Sequence, residues 1–75
     1  MSAGTFVGER THNKIVRGDG TVISEPIRRE EAERIALEMW NEYAGTNSDK
    51  LPYNSVVNVS DDDSGTTITV TVRYE

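Results

Sequence analysis

The 75-residue chain lacks cysteine, and it contains only two prolines, one histidine, one tryptophan and one phenylalanine. Without cysteine, neither a disulfide nor a thiolate metal site can hold this small fold together. No apolar run approaches the roughly 20 residues of a transmembrane helix, so we expect no membrane partner. The first residues, MSAGTFVGER, also lack the basic and apolar regions of a secretory signal. We therefore expect a soluble, cytoplasmic protein.

The net charge of −5 is unevenly distributed along the chain. Residues 1–29 hold five basic and three acidic side chains, whereas residues 30–75 hold three basic and ten acidic ones. Nucleic acid binding requires a basic cluster, which this chain lacks, so we expect no direct nucleic acid binding. One hypothesis is an acidic decoy that occupies a basic nucleic-acid-binding surface. The simpler interpretation is that the acidic side chains solvate a helix face and a loop.

The clearest strand pattern lies near the carboxyl terminus. In TTITVTVRY, apolar residues alternate with threonines. This period of two, with β-branched residues on both sides, predicts a half-buried strand whose apolar side faces the core. The preceding segment YNSVVNVS predicts a shorter strand, and DDDSG supplies the turn residues between them. We therefore predict a β-hairpin over residues 55–74.

One amphipathic helix is predicted from Glu30 to Ala44, and Gly45 ends it. Its apolar residues recur at helical spacing and form one stripe: Ala32, Ile35, Ala36, Met39 and Tyr43. We expect Tyr43 to lie in the core. Trp40 lies at the edge of the stripe, where it is either a core residue or a partly exposed anchor for a partner.

Residues 5–25 are predicted to form another hairpin, in which THNKIV and TVIS flank the tip RGDG. The tripeptide Arg17-Gly18-Asp19 is also the motif with which adhesion ligands bind integrins. A three-residue motif is weakly specific, however, and glycine and aspartate are ordinary turn residues. We therefore interpret RGDG as a hairpin turn and keep adhesion as the alternative.

These elements follow one another in the order ββαββ. With one amphipathic helix and one sheet, the stable arrangement packs the helix across one sheet face. We therefore predict a single α+β domain over residues 1–75, a two-layer sandwich with one helix on a four-stranded mixed or antiparallel sheet. We prefer a β-grasp-like order, in which the first and last strands are adjacent and parallel.

The order hairpin, helix, hairpin and the segment SDDDSGTTITVTV resemble the β-grasp of streptococcal immunoglobulin-binding domains. The helix REEAERIALEMWNEY lacks that family's pattern of surface residues, so the resemblance does not imply antibody binding. The segment IRREEAERIALEMW, followed by a hairpin, also resembles the PepSY modules that accompany peptidase propeptides. That resemblance implies a peptidase inhibitor as an alternative function.

Few residues could support catalysis or bind a metal ion. A lone His12 cannot build a transition-metal site, and no oriented acid–base partner can be assigned to it. Asp61 and Asp63 resemble the start of a calcium loop, but Val72 occupies the position that needs a bidentate glutamate. A phosphate-binding loop and a nucleophile elbow are also missing. We therefore expect a protein that is not an enzyme and has no cofactor or metal site.

Three predicted strands carry apolar residues in adjacent pairs: Ile15-Val16, Val22-Ile23 and Val56-Val57. Because neighbouring strand residues point to opposite faces, one member of each pair must face away from the helix. We expect Ile15, Ile23 and Val56 to lie on the outer sheet face and to contact a partner. An open edge strand is a second candidate surface. On the helix, the candidate contact residues are Trp40, Glu38 and Glu42.

The leading hypothesis is a small, non-catalytic protein-binding module, accessory or inhibitor-like, that uses its sheet face, an edge strand or the helix. Its partner is another protein, or a second copy of the chain in a homodimer. The alternatives are the acidic decoy, the PepSY-type peptidase inhibitor and a stand-alone folded domain without a function.

Overall fold

The computed structural model describes residues 3–74 and contains one helix and three strands in this range. In chain order, the elements are β1 (Gly4–Asn13), α1 (Arg29–Ala44), β2 (Ser55–Asp62) and β3 (Gly65–Tyr74). The strands form one antiparallel sheet in the order β1-β3-β2, and the helix packs on one face of it. The predicted α+β class with one helix on a sheet is confirmed. The predicted four-stranded sheet is wrong, because the sheet of the described residues has three strands.

The difference lies in the first 25 residues, where one long strand replaces the predicted hairpin. Strand β1 pairs with β3 along its whole length, from Gly4 opposite Tyr74 to Asn13 opposite Gly65. Residues 15–23 fold back on themselves through a single bridge between Val16 and Val22, outside the sheet. We call this segment the ribbon. Because β1 and β2 occupy both sides of β3, the ribbon has no place beside the central strand.

Strand direction also differs from the β-grasp prediction. The first and last strands are adjacent, as predicted, but they run antiparallel and not parallel. The reason is the number of chain reversals. With a single strand before α1, the returning helix brings the chain into β2 in the direction of β1. The hairpin into β3 then reverses it once more.

The helix begins one residue before the predicted start and ends where predicted. Glu30 and Glu31 lie in its first turn, where negative charge is favourable, and Gly45 ends it in the left-handed conformation with φ 69°. The buried residues confirm most of the predicted stripe: Ala32, Ile35, Ala36 and Met39. The prediction that Tyr43 is a core residue is wrong, since this side chain remains 53% exposed. No helix within residues 3–74 is long and apolar enough to cross a membrane.

The hairpin predicted over residues 55–74 is confirmed, with a turn between Asp62 and Gly65. Asp62 organises this turn, because its Oδ1 accepts hydrogen bonds from the hydroxyl and the backbone N–H of Ser64, both at 2.8 Å, and from the N–H of Gly65 at 3.0 Å. These donors hold the pKa of the Asp62 carboxyl below its usual range. A Cβ at Gly65 would collide with the backbone of His12 on β1, so this close approach requires glycine.

The core is a single small cluster between α1 and the sheet. Strand β3 supplies three side chains, the helix four and β2 one: Ile68, Val70, Val72, Ala32, Ile35, Ala36, Met39 and Val57. Four partly buried side chains surround the cluster: Phe6, Ile27, Trp40 and Leu51. The central strand β3 therefore holds the fold together, because both neighbouring strands and the helix pack against it.

Candidate functional site

Strand β2 forms one open edge of the sheet. The N–H of Arg73 donates to the carbonyl of Asn54 at 2.8 Å, which fixes the alternation of the β2–β3 ladder. In an antiparallel ladder, residues bonded to the neighbour alternate with residues whose peptide groups point away from it. The outward-pointing residues of β2 are Ser55, Val57, Val59 and Asp61. Their backbone groups have no strand partner within residues 3–74.

Strand β1 forms the other open edge. Its ladder is fixed by the hydrogen bond from the N–H of Lys14 to the carbonyl of Ser64, at 3.1 Å. The odd-numbered residues from Thr5 to Asn13 therefore have outward-pointing peptide groups. The two edges differ in the face to which these residues direct their side chains. On β1 the side chains lie on the outer sheet face, whereas on β2 they lie on the helix face.

A groove of about 670 Å³ lies beside the open edge of β2, between that strand and α1. We call it the β2 groove. Leu37 of the helix, Leu51 of the following loop and Val57 supply its apolar lining. Residues that pair across two strands place their side chains on the same face of the sheet. A fourth strand bonded to β2 would therefore direct alternate side chains into this groove.

The loop after the helix forms one wall of the β2 groove and is held by Asn41. The amide of Asn41 donates to the carbonyl of Ser48 at 2.9 Å, and its Oδ1 accepts from the hydroxyl of Thr46 at 2.8 Å. The Ser48 hydroxyl in turn donates to the carbonyl of Lys50 at 2.7 Å. These bonds fix the loop before it reaches Leu51, so the groove exists without a bound partner.

The charged side chains along the β2 groove are mostly paired with one another. Arg29 binds Glu33 at 3.3 Å, and Arg34 binds Glu38 at 2.9 Å. Lys50 also lines the groove, together with Asp49, and makes no ion pair within residues 3–74. Asp49 makes no ion pair in this range either, so the lining as a whole holds three cations and two carboxylates, a balance of +1 in a chain with a net charge of −5.

The outer sheet face is uncovered and contains one short apolar row. Val56 and Val7 flank Thr71 across the three strands. Val56 is 57% exposed, whereas its neighbour Val57 is 7% exposed, which confirms that the two members of this pair face opposite sides. The remaining outer residues of β3 are Thr67, Thr69 and Arg73. The predicted position of Val56 on the outer face is therefore correct.

The prediction that Ile15 and Ile23 share the outer sheet face with Val56 is wrong. Both lie on the ribbon, where the N–H of Ile23 donates to the carbonyl of Ile15 at 2.9 Å. Their side chains are 59% and 50% exposed, and those of Val16 and Val22 are similarly exposed. The segments before and after the tip pair only with each other, and Ile15 at the base of the ribbon also borders a depression together with Ile27, Glu31 and Thr66.

The tip of the ribbon is the RGDG turn. The N–H of Gly20 donates to the carbonyl of Arg17 at 2.9 Å, and the N–H of Arg17 donates to the carbonyl of Thr21 at 2.8 Å. Gly20 has φ 90°, as expected for the last residue of a three-residue hairpin loop. Asp19 accepts the N–H of Thr21 at 2.9 Å, which lowers the pKa of its carboxyl. The interpretation of RGDG as a hairpin turn is confirmed.

Trp40 belongs to an aromatic cluster at the end of the molecule where β1 begins and β3 ends. Its ring centroid lies 5.8 Å from those of Phe6 and Tyr74, and Tyr43 stacks on Phe6 at 4.3 Å. The hydroxyls of Tyr43 and Tyr74 are 2.6 Å apart, and this hydrogen bond raises the pKa of Tyr74. Trp40 is half-buried, so it serves the packing of this cluster while part of its ring remains accessible.

Glu38 and Glu42 lie on the exposed surface of α1, away from the β2 groove lining. Glu38 joins two arginines, with Oε1 2.9 Å from Arg34 and Oε2 3.4 Å from Arg10 of β1. Glu42 borders a shallow depression beside Phe6 and Tyr43. The six predicted contact residues, which were expected on the outer sheet face and on the helix, therefore belong to three surfaces: the ribbon, the outer sheet face and the helix.

The sequence did not identify the β2 groove as a candidate site. Leu37 falls outside the main apolar stripe of the helix, and Leu51 lies in a polar loop. These two residues could have indicated a site, because each is a large aliphatic residue at a position that the predicted core pattern does not require. Comparisons with protein-family models, with curated proteins and with solved structures find no match for this chain.

Proposed function

We propose that the protein is a non-catalytic binding module that adds an extended segment of another protein to the open edge of β2. The observation that carries this proposal is the position of the β2 groove directly beside that edge. Backbone groups at the edge supply hydrogen bonds that do not depend on sequence, and pockets for alternate side chains supply specificity.

The bound segment occupies the place of a fourth strand. Residues bonded to the peptide groups of Ser55, Val57 and Val59 direct their side chains towards α1. Small and medium aliphatic side chains fit between Leu37 and Leu51, because both are half-buried and exclude polar groups. The alternate side chains of the segment remain on the outer sheet face, beside Val56. The sheet then has four strands, and the bound segment, not β2, forms its open edge.

The charge of the groove favours a carboxylate in the partner segment. The lining holds three cations and two carboxylates, and Lys50 makes no ion pair within residues 3–74, so an Asp or Glu of the segment placed beside Lys50 is its natural counterpart. This partner chemistry is opposite to that of the acidic decoy, which would bind a basic surface. Strand addition depends mainly on backbone and apolar contacts, and we therefore expect it to persist at high salt.

The test uses peptides displayed on phage, in which random residues alternate with aliphatic residues over ten positions. Selected peptides are titrated into ¹⁵N-labelled protein, and amide hydrogen exchange is measured with and without peptide. Strand addition predicts slower exchange at Ser55, Val57, Val59 and Asp61, whose N–H groups point outward in the unbound protein. It predicts little change at Asn58, whose N–H already pairs with β3.

Two proline variants provide matched controls. Proline at Val59 removes an outward N–H from the β2 edge, and proline at Val7 removes one from the β1 edge, while neither removes a bond to β3. The variant Val59→Pro should lose peptide binding and Val7→Pro should retain it, with folding of both checked by circular dichroism. Equal binding by both variants, exchange protection elsewhere than on β2, or the absence of any selected peptide would contradict the proposal.

A further inference from the structure

The accessible surface of the chain is larger than its mass predicts. It amounts to 5600 Å², about 1,000 Å² more than the roughly 4,600 Å² expected for a folded monomer of this mass. The radius of gyration is 14.6 Å, against about 11 Å for a globular domain of this length, and the longest axis is 55 Å. Specific interfaces bury about 800 Å² on each partner, so an excess of this size leaves enough surface for one dimer contact, of which the ribbon is a part.

The ribbon has the features of a surface that is covered in such a dimer. Ile15 and Ile23 are paired across it and share one face, whereas Val16 and Val22 share the other. All four side chains are at least half exposed. An isolated two-stranded hairpin is only marginally stable in water, so a second surface that covered one face of this ribbon would stabilise it.

We infer that the ribbon is a homodimer contact, in which the isoleucine face packs on the same face of a second copy around a two-fold axis. A two-fold contact needs a self-complementary surface, because each residue meets the partner's equivalent region. Two pairs of isoleucines satisfy this condition for apolar packing. This inference concerns a surface separate from the β2 groove, so the dimer leaves both copies of that groove accessible.

The charges at the two ends of the ribbon are complementary in this arrangement. Arg17 lies at the tip, and Glu25 follows the base. Neither makes an ion pair within residues 3–74. When two ribbons pack antiparallel, each tip reaches the base of the other copy, so Arg17 of one copy faces Glu25 of the second, twice in each dimer. Lys14 at the base is already neutralised by Asp61, 3.7 Å away.

The experiment measures the oligomeric state of the full chain by sedimentation velocity, from micromolar to near-millimolar protein. We expect a reversible dimer. The double variant Ile15→Lys/Ile23→Lys should be monomeric throughout this range. The matched control, Val7→Lys/Val56→Lys, adds the same two charges at similarly exposed residues of the outer sheet face and should remain a dimer. A monomeric wild-type chain, or equal loss of dimer in both double variants, would overturn the inference.

A charge-exchange cycle tests the orientation of the two ribbons. The variants Arg17→Glu and Glu25→Arg should each raise the dimer dissociation constant about tenfold, because two exposed ion pairs become two like-charge contacts. The combined variant Arg17→Glu/Glu25→Arg should restore the wild-type value. If the effects of the two substitutions simply add, the antiparallel arrangement is wrong. Circular dichroism confirms that each variant retains the sheet and helix.

Discussion

Adjacent pairs of apolar residues differ in solvent exposure between β2 and the ribbon. In β2, the sheet separates Val57, which is buried, from Val56, which faces solvent. In the ribbon, both members of Ile15-Val16 and of Val22-Ile23 are at least half exposed. The local sequence is similar in the two segments, since each is a short β-branched stretch next to a turn. Only β2 has one of its faces covered by another element, the helix α1.

This difference shows that burial in a strand is determined by its neighbours. Strand β2 pairs with β3 and therefore shares the face that α1 covers. The ribbon pairs only with itself and extends away from the sheet, so no element covers it in the described chain. A pair of apolar residues in a strand thus predicts that two surfaces exist. It does not predict that the protein itself covers one of them.

Substitution of one isoleucine in the helix-covered sheet and one in the ribbon tests this comparison and should give the largest difference. Ile68→Ala, in the centre of β3, should reduce the free energy of unfolding by about 2–5 kcal/mol, because a fully buried side chain leaves a cavity. Ile15→Ala, on the ribbon, should change it by less than about 1 kcal/mol. Urea denaturation at low protein concentration measures both variants as monomers. Similar losses would mean that the ribbon packs as tightly as the core.

The pH dependence of stability provides a second test of this comparison, because each region has one aspartate in its turn, Asp62 in the β2–β3 hairpin and Asp19 in the ribbon. Hydrogen bonds lower the pKa of both Asp62 and Asp19 in the folded protein. A lowered pKa means that the charged carboxylate stabilises the fold above the pKa of the unfolded chain, about 4, and that this contribution disappears as the pH falls further. Asp62→Asn should therefore be less stable than wild type at pH 7, and the difference should shrink below about pH 4.

Asp19→Asn should leave the global unfolding transition unchanged at every pH, because its turn stabilises only the ribbon. NMR titration of the two carboxyl groups provides an independent measurement, since both should titrate below the usual aspartate range. An equal effect of the two substitutions on global unfolding would show that the ribbon folds cooperatively with the sheet.

The smallest expected effect concerns the ion pair between Arg34 and Glu38 on α1. Both side chains are more than half exposed, and helical pairs four residues apart contribute a few tenths of a kcal/mol. Glu38→Gln should therefore lower the free energy of unfolding by about 0.5 kcal/mol or less, as measured by thermal denaturation at low salt. A larger loss would indicate that the contact from Glu38 to Arg10 links α1 to β1 more strongly than its 3.4 Å separation suggests.

Periodic patterns predicted the parts of the fold that depend on local chemistry. The alternation of Ile68, Val70 and Val72 with threonines identified β3, and the stripe from Ala32 to Met39 identified the buried face of α1. Strand β1 was harder to predict, because GTFVGERTHN contains two glycines and two charged residues. Its conformation depends on ten pairings with β3, which no local pattern reveals.

The candidate site was harder still to predict, because it combines distant segments. Leu37, Lys50 and Val57 meet only when the helix, the following loop and β2 are assembled, and Asn41 holds the loop in place through side-chain hydrogen bonds. For Tyr43, by contrast, the sequence pattern predicted burial that the tertiary structure does not provide. Its spacing is that of a core residue, but the sheet ends near it, so the ring packs on Phe6 and remains half exposed.

The sequence by itself determined the helix, the carboxyl-terminal hairpin and the turns at Asp19 and Asp62, since each depends on side-chain periodicity or on hydrogen bonds between near neighbours. Tertiary structure alone decided that the sheet has three strands, that its first and last strands run antiparallel, and that the ribbon stands apart. The reason is that strand pairing depends on competition among distant segments for the two sides of β3.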